Sequence, residues 1–423
     1  MKYKYFVPLF ILALAGLGFG SFGLVDRLMN GLNVTALGSY IPWGLWVAFY
    51  LFFLGLSAGA FLVTLMTYLL GMKQFEHIGP LSAFVVLVAL ICEVQFILLD
   101  LGQLHRALYQ FFLTPSFTSL MTWMFVLFNA MLIIYALKTY FLIRGDLIRW
   151  SVAHGNRGLG SVYRFLSMGK SAYDEDLRQR DRKKVSVLAK ISLPVGLLFY
   201  GTNGAFFAVL LGRPVWNSAM TPLLFIVAAL LSGGALITFL TYLFRLKDPI
   251  NPDGVCYEEK LCLDLGRVIL FLLVFFLALE AMQFFVGYTT GTHAVVTSLD
   301  TIVKGPNWWV FWVGHILVGS IIPLFLLIFQ SHNVKSTVLA CFLIFITFAS
   351  VRYNFVLPDL AVYKLEGLEE TFFHPRLRTH YVPNLNEWLV SIFVISTGMI
   401  VFLLGTRYLP IVSQWNGGKE HEA

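Results

Sequence analysis

Long apolar runs, separated by short polar segments, follow one another along the whole chain. Each run has about 18 or more residues, which is enough to cross roughly 30 Å of hydrocarbon as an α-helix. Because backbone polar groups must find partners inside the bilayer, such runs predict helices. The chain is therefore predicted to be an all-α polytopic membrane protein with about ten transmembrane helices. The predicted spans are residues 6–25, 42–70, 78–101, 118–143, 187–211, 219–244, 264–289, 307–330, 336–356 and 387–408.

The composition agrees with a membrane protein, because 58% of the 423 residues are hydrophobic, 13% are charged and the mean hydropathy is +0.78. If the N-terminus is inside, most of the 30 Lys and Arg residues fall on the inner side, including the basic stretch "RQRDRKK". This asymmetry predicts that both termini are cytoplasmic, and it explains the basic stretch as a topology signal and lipid-facing patch. We therefore do not expect nucleic-acid binding. The basic residues assigned to the outer side are Arg27, Arg106, Arg213, Lys304, Lys364, Arg376 and Arg378.

The spans fall into two groups, which are separated by a basic cytoplasmic loop at 144–186. Helices two to five can be laid over helices six to nine in the same direction, which predicts two four-helix bundles as a parallel repeat, plus two peripheral helices. "LSAGAFL" (Leu56–Leu62) then corresponds to "LSGGALI" (Leu231–Ile237), and Glu93 corresponds to Glu280. The predicted units are residues 1–41 (N-terminal helix and outer loop), 42–211 (first bundle), 212–356 (second bundle) and 357–423 (outer loop and C-terminal helix).

The small-residue clusters in these two motifs allow two interpretations. Gly55 and Gly59 form a G-x-x-x-G pattern, which lets the backbones of two membrane helices approach closely. Glycine-interrupted segments at matched positions in two halves also occur at the substrate sites of transporters. The sequence leaves both interpretations open.

Ionisable side chains interrupt several apolar runs. Glu280 lies within "VILFLLVFFLALEAMQFFVGY" (Val268–Tyr288), where a central carboxylate costs roughly 2.5–3.5 kcal/mol to insert. Counting about 1.5 Å per residue from the predicted outer ends puts Glu280, Glu93 and His315 in the outer half of the membrane, together with Arg352. A carboxyl group and an imidazole at one depth can pass a proton. Alternatively, Arg352 forms a buried ion pair with Glu280 that joins two helices.

A second group of polar and aromatic residues lies where three spans reach the predicted outer surface. Asp100 and His105 come from "LLDLGQLHR" at the end of the third span. Trp43 begins the second span, and Thr122 and Trp123 begin the fourth. Tryptophans at this position are also typical of an aromatic belt at the membrane surface. Aromatic side chains beside Asp and His suit a quinone, whose flat ring stacks and whose carbonyl groups need hydrogen-bond donors.

The sequence predicts no haem and no metal site within the chain. Only His315, of nine histidines, lies well inside a span, whereas a membrane cytochrome b needs two axial ligands per haem. The four cysteines are Cys92, Cys256, Cys262 and Cys341, and they have no C-x-x-C spacing. We expect them to be thiols rather than ligands of an iron–sulfur cluster.

Five stretches in this order resemble the NrfD/polysulfide-reductase membrane-subunit family. They are "IPWGLWVAFYLFFLGLSAGAF" (41–61), "LLDLGQLHR" (98–106), "GRPVWNSAMTPLLFIVAALLSGGA" (212–235), "GPNWWVFWVGHILVGSIIP" (305–323) and "RYNFVLPDL…HYVPNLNEW" (352–388). The long ten-helix form is similar to the hydrogenase-2 membrane subunit, the quinone reductase complex subunit and alternative complex III subunits. Where many relatives have "DLGRP", this chain has "DLGQL", which changes the turn that precedes the histidine.

The resemblance implies a haem-free integral subunit of a respiratory oxidoreductase complex in the bacterial inner membrane. Such a subunit exchanges electrons between menaquinone or ubiquinone and a periplasmic iron–sulfur (ferredoxin-like) subunit, with further catalytic or cytochrome subunits as partners. The family's quinone contacts are carried onto Trp43, Asp100, His105 and Trp123. The family's proposed proton pathway is carried onto Glu93, Glu280, His315 and Arg352.

Two other functions are compatible with the sequence. A secondary transporter would use the repeat and the buried carboxylates to couple ions to transport. A passive membrane anchor would only hold soluble subunits. Bound quinone and cluster-bearing partners favour the oxidoreductase subunit, whereas a monomer that moves a solute favours the transporter.

Overall fold

A computed structural model describes residues 3–155, 158–244, 257–363, 367, 371, 374, 377 and 379–412. Among these residues the regular structure is helical, as predicted. Cys256 and the predicted outer charges Lys364, Arg376 and Arg378 lie outside the described residues. The helices are α1 (Tyr3–Asn30), α2 (Leu45–Thr64), α3 (Gly79–Asp100), α4 (Leu104–Phe112), α5 (Leu120–His154), α6 (Leu159–Leu166), α7 (Glu175–Ala208), α8 (Met220–Phe244), α9 (Tyr257–Thr290), α10 (His293–Val303), α11 (Ile322–Phe329), α12 (Val334–Leu360) and α13 (Leu385–Tyr408).

Two π-helical segments extend this set. Leu65–Leu69 continues α2, and Val310–Ile321 runs directly into α11. Within the part of the chain that the structure describes, ten helices are long and apolar enough to cross a membrane, and they agree with the ten predicted spans. The prediction of a polytopic all-α membrane protein is confirmed.

The long helices pack as two groups and one pair. Helices α2, α3, α5 and α7 contact one another, and α8, α9, α12 and the segment leading into α11 form the second group. Helix α1 packs along α13, and α13 in turn packs against α3. Helices α2 and α8 lie at the centre, since 83% and 72% of their apolar windows are buried, against 22% for α5 and α9. This arrangement accords with two bundles and a peripheral pair, while the exact domain limits remain a prediction.

The central contact is the crossing of α2 and α8. A Cβ atom on Gly59 would stand 2.5 Å from the carbonyl oxygen of Gly233, and one on Gly55 would stand 2.7 Å from Oγ of Ser232. The two small-residue motifs of the predicted repeat therefore pack directly against each other. Close helix packing accounts for their glycines, as expected for small residues at a membrane helix interface.

The predicted loop at 144–186 is mostly helical. Helix α5 has 35 residues and α7 has 34, so each is about 50 Å long and extends well past the hydrocarbon layer. The buried ion pair between Arg144 and Asp181 joins the two helices at 3.1 Å. Arg180 pairs with Asp176 one turn away on α7. Charged residues are favourable in these extensions because the helices have left the apolar layer and can pair their charges.

A buried carboxylate accepts hydrogen bonds from several segments at the predicted outer face, where α2 begins and α3 ends. Glu387 accepts a hydrogen bond from the Tyr381 hydroxyl and another, at 3.1 Å, from the backbone of Ala36. The Tyr381 hydroxyl accepts a bond from the backbone of Leu45 at 2.8 Å, and the Trp46 indole donates to the Glu387 carbonyl at 3.0 Å. Burial and the neighbouring Glu387 raise the pKa of the Tyr381 hydroxyl, which therefore remains a donor. This network fixes the start of α2.

The close approach at Gly59 generates a prediction about stability. Gly59→Ala places a methyl group against the Gly233 backbone, which cannot rotate away, so we expect the free energy of unfolding to fall by about 1–3 kcal/mol. The matched control is Gly18→Ala on α1, because a Cβ atom there meets nothing within 4 Å. Thermal unfolding of the purified variants in detergent measures the difference. Equal stability of the two variants would contradict the proposed packing role.

Candidate functional site

A cavity of about 340 Å³ lies inside the first bundle, near the predicted outer face. Its walls come from the start of α2, the end of α3, and from α4, α5 and α7. The lining is largely aromatic, because each of these helices turns Phe, Tyr or Trp side chains inward. The aromatic lining residues are Trp43, Tyr50, Phe96, Phe111, Phe112, Phe125, Phe128, Phe199, Phe206 and Phe207.

Only a few polar groups interrupt this apolar wall. The polar lining residues are Tyr50, Glu93, Asp100, Asn129 and Asn203. The Tyr50 hydroxyl donates to the Asn203 side-chain oxygen, and the Asn203 amide donates to the Phe199 carbonyl at 2.8 Å. One carboxylate oxygen of Glu93 and one of Asp100 are buried and have no hydrogen-bond partner among the described residues. The two carboxyl groups are therefore available to a bound molecule.

Neighbouring contacts fix the positions of Trp43 and Asp100. The Trp43 ring stacks on Trp216, with ring centres 5.8 Å apart and an angle of 22° between the planes. Arg27 donates to the backbone carbonyls of Leu99 at 2.8 Å and Leu101 at 2.7 Å, which ends α3 on either side of Asp100. Both side chains therefore belong to a rigid wall.

The cavity has the features of a site for a flat, mostly apolar molecule. Ligand pockets of this kind have apolar walls and a small number of converging polar groups, and their usual volumes begin at about 300 Å³. Phe112 and Met121, which both line the cavity, are 63% and 44% exposed. The cavity therefore opens between α4 and the start of α5.

The structure brings two of the five predicted quinone contacts to this cavity. Trp43 and Asp100 line it, whereas His105, Thr122 and Trp123 do not. His105 is exposed because α4 begins at its neighbour and turns the imidazole away from the bundle. The Trp123 indole donates to the Phe117 carbonyl at 2.9 Å, and Thr122 is buried outside the lining.

A second, smaller cavity of about 70 Å³ lies in the second bundle. Glu280 lines it, and a carboxylate oxygen of Glu280 lies 3.3 Å from Nε2 of His315. This contact joins α9 to the π-helical segment Val310–Ile321, a backbone form that is frequent at functional sites. Glu93 lies in the first cavity instead. Of the predicted proton pathway, Glu93 therefore lines one cavity, Glu280 and Arg352 line the other, and His315 contacts Glu280.

Arg352 lines the second cavity but does not form the ion pair that was considered from the sequence. Within the described residues a carboxylate oxygen of Glu280 lies next to Nε2 of His315, and no ion pair joins Glu280 to Arg352. The Arg352 guanidinium lies 4.8 Å from the centre of the Phe225 ring. Its Nε and one Nη atom are buried and have no hydrogen-bond partner in the described part of the chain. Arg352 is thus a buried cation held largely by an aromatic face.

The sequence analysis missed a line of polar residues that leads from the first cavity toward the opposite face. Tyr50, Ser57 and Thr64 lie on one side of α2 at seven-residue intervals, about 10 Å apart. The Ser57 hydroxyl lies 3.1 Å from that of Tyr200. Lys138 donates to Thr64 at 2.5 Å and is only 5% exposed. These residues form a polar line through the core of the bundle.

Lys138 is the unexpected member of this line. It lies about 27 Å along α5 from Leu120, inside the predicted span 118–143. The Tyr135 ring lies 5.3 Å from its ammonium group, and no carboxylate pairs with it among the residues described. A lysine inside an apolar run was the available signal, because such a residue marks a functional position by default.

Two groups of membrane-spanning helices, each enclosing a cavity with a carboxyl group in its wall, define an integral membrane protein. The described residues contain no group of three or more side chains that could bind a metal ion. The chain belongs to the polysulphide reductase NrfD family, whose model matches residues 33–362.

Several relatives are similar over nearly their whole length. A selenate reductase subunit of Mesobacillus selenatarsenatis is 29% identical, over 98% of this chain and 95% of its own. A putative dimethyl sulfoxide reductase membrane subunit of Halobacterium salinarum is 28% identical, over 95% of this chain and 89% of its own. The Hdr-like menaquinol oxidoreductase integral membrane subunit of Archaeoglobus fulgidus is 24% identical, over 97% and 94%. All three are named as subunits of reductases or oxidoreductases, and the second and third are named as membrane subunits.

Proposed function

We propose that this chain is the haem-free, quinone-binding integral membrane subunit of a respiratory oxidoreductase complex in the bacterial inner membrane. The observation that carries the proposal is the aromatic cavity of the first bundle, with the unpaired carboxyl groups of Glu93 and Asp100. A relative that is named a menaquinol oxidoreductase subunit supports menaquinone as the ligand. A quinone bound there supplies the redox chemistry, since it takes up or releases electrons and protons at its carbonyl oxygens.

The residues of the cavity have distinct tasks. The aromatic walls bind a flat ring by stacking and exclude water from it. Asp100, whose position is fixed by the end of α3, holds a proton near the predicted outer face. Glu93 lies two turns deeper, about 10 Å along α3, and holds a second proton. A carboxyl group in the wall of a cavity that excludes water can donate a proton to a ligand oxygen, or accept one from it, within hydrogen-bond reach.

Electrons must pass to or from a partner, because we expect no redox centre within this chain. The cavity lies near the predicted outer face, so the iron–sulfur subunit is proposed to bind there, on the periplasmic side. Helix α10 and the described residues 379–384 supply surface for such a partner. The basic segment on the opposite side instead faces the cytoplasm and the lipid headgroups.

Protons are proposed to reach the first cavity from the cytoplasmic side. The polar line on α2 begins at Tyr50 in the cavity and continues through Ser57 and Thr64 to Lys138. Each hydroxyl group can accept one proton and donate another, but the groups on α2 lie about 10 Å apart, so a relay along this line requires water molecules between them. The Glu280–His315 pair is proposed to handle protons in the second bundle.

The quinone site is tested by comparing Asp100→Asn with His105→Ala. We expect Asp100→Asn to slow quinone turnover by roughly 100-fold or more, which is typical when a positioned acid–base group is removed. His105→Ala should have little effect, because this side chain is exposed outside the cavity. Steady-state turnover with a water-soluble quinol analogue, in the assembled complex, gives both values. Normal turnover of Asp100→Asn would contradict the site and would favour a passive anchor.

The relay is tested by Lys138→Met, which keeps the length of the side chain and removes its protons. We expect turnover to fall about tenfold or more, with proton uptake from the cytoplasmic side slowed in parallel. The matched control is Lys190→Met, because Lys190 is an exposed lysine on α7. Stopped-flow measurement with a pH dye inside proteoliposomes follows the uptake. The relay is wrong if both variants behave like the wild type.

Proton handling by Glu280 is tested by Glu280→Gln. The amide keeps the size of the side chain and a contact with His315, so we expect normal assembly and quinone reactivity. Charge separation across proteoliposomes should fall to a small fraction of the wild-type value. If Glu280 only braced the helices electrostatically, removal of the charge would leave a buried group unpaired, at a cost of about 3–5 kcal/mol, and would reduce the assembled protein. Unchanged charge separation would also count against the proposal.

A further inference from the structure

We propose that α6 and the turn after it, residues 159–170, bind the phosphate group of an anionic phospholipid in an open cavity beside α5. This cavity has a volume of about 720 Å³, and it is lined by Tyr140 of α5 and by residues of α6 and the turn. It lies at the end of the predicted α5 span that is opposite to the quinone cavity. The proposal concerns a separate site and does not rest on the proposed function.

Two features place this cavity at the depth of the lipid headgroups. Tyr140 lies near the inner end of the predicted span 118–143. The Tyr163 hydroxyl of α6 donates to the Tyr408 carbonyl at 3.0 Å, and Tyr408 is the last residue of α13. Helix α6 therefore folds back to the level at which two membrane-spanning helices leave the hydrocarbon layer.

The outward side of α6 is apolar at this depth. Leu159, Val162, Phe165 and Met168 follow one another at three-residue intervals, and they are between 46% and 82% exposed. Tyr163, on the other side of the helix, is buried against the protein. A short helix with an apolar side at the membrane surface inserts that side among the headgroups and the first part of the acyl chains. The bilayer is therefore the surrounding that suits these exposed side chains.

The cavity also carries hydrogen-bond donors that suit a phosphate group. Arg164 and Ser161 line it, and Arg164 is exposed. Tyr140 lines it as well, and its hydroxyl oxygen is buried without a hydrogen-bond partner among the described residues. A guanidinium group and hydroxyl groups are donors that match phosphate oxygens. Within the described residues the lining contains no Asp or Glu, so nothing there repels an anion.

The turn after α6 holds the backbone of Arg164 in place. The Gly169 amide and the Ser167 hydroxyl both donate to the Arg164 carbonyl, at 2.9 and 3.0 Å. The Ser167 amide donates to the Tyr163 carbonyl at 2.7 Å. Gly169 has a φ of +71°, a conformation that glycine adopts without strain. The guanidinium group is therefore presented from a closed turn, which reduces the order that must be created on binding.

The combination of these features favours a phospholipid over a free phosphate ion. A free ion would contact only the donors, whereas a lipid also covers Phe165 and Met168 with its acyl chains. A protein that spans a membrane has such lipids at high local concentration at this depth. A zwitterionic headgroup would bring an ammonium group for which the cavity lining, as described, offers no carboxylate. An anionic headgroup brings only the charge that Arg164 complements.

The test is native mass spectrometry of the purified full-length protein, after detergent exchange has removed its lipids. Phosphatidylglycerol and phosphatidylcholine with the same acyl chains are titrated separately, and we expect the wild type to bind phosphatidylglycerol more tightly. Arg164→Gln should weaken phosphatidylglycerol binding about tenfold, as expected for the loss of a charge-assisted hydrogen bond. Tyr140→Phe should weaken it several-fold without changing the unfolding temperature, because the hydroxyl group has no hydrogen-bond partner among the described residues.

The matched control is Arg182→Gln, which removes an exposed arginine of α7 that does not line the cavity. This variant should bind phosphatidylglycerol as the wild type does. Equal affinities of the wild type and Arg164→Gln overturn the site. An equal fall in both arginine variants also overturns it, because that result shows diffuse attraction of the lipid to a basic surface.

Two further results separate a lipid from other occupants. Millimolar inorganic phosphate should not displace phosphatidylglycerol, and full displacement would overturn the lipid in favour of a free anion. In the assembled complex, crosslinks that join residues 159–170 to another subunit would show that a protein covers this surface, and they would also overturn the proposal. Neither measurement involves quinone turnover, so failure here is distinct from failure of the quinone site.

Discussion

The close contact between α2 and α8 is the constraint on which the rest of the structure depends. Gly59 and Gly233 let the two backbones meet, and this contact places one bundle directly against the other. Without side chains at the crossing, neighbouring helices have to supply the bulky groups that fill the remaining volume. Aromatic residues from α3, α5 and α7 fill this volume in the first bundle, and they leave the cavity that Trp43 and Asp100 line.

The same crossing explains why polar groups can exist in the core. An unpaired cation is expensive in a bilayer unless it faces protein or water. Helices α2 and α8 are buried on nearly all sides, so polar residues on them face other helices instead of lipid. Ser57 and Thr64 therefore meet Tyr200 and Lys138 rather than hydrocarbon. Central position, rather than sequence alone, lets the membrane-spanning region accommodate these residues.

Much of this architecture could be predicted from hydropathy, because each span is a local property of about 20 residues. The ten spans follow from such local signals, the family from five motifs in order, and the shared depth of Glu280 and His315 from counting residues along the predicted spans. The position of Glu93 could not be predicted in this way. Depth places a residue along the membrane normal, but it does not say which bundle the side chain faces. Glu93 and Glu280 share a depth and lie in different cavities.

The orientation of side chains around the helix axis explains the remaining differences between the predicted and the observed site. His105 and Trp123 lie at the predicted depth of the quinone site, yet α4 and α5 turn them away from the cavity. Lys138 shows the opposite difference. Its charge suggests an exposed position, whereas α5 turns the side chain into the interior, where it is buried. The side of a helix that faces the protein interior therefore decides which of its residues can line a cavity. Lys138 and Arg352 both face that centre without a paired carboxylate in the described residues, so a hydroxyl group and an aromatic ring respectively contact these charges instead.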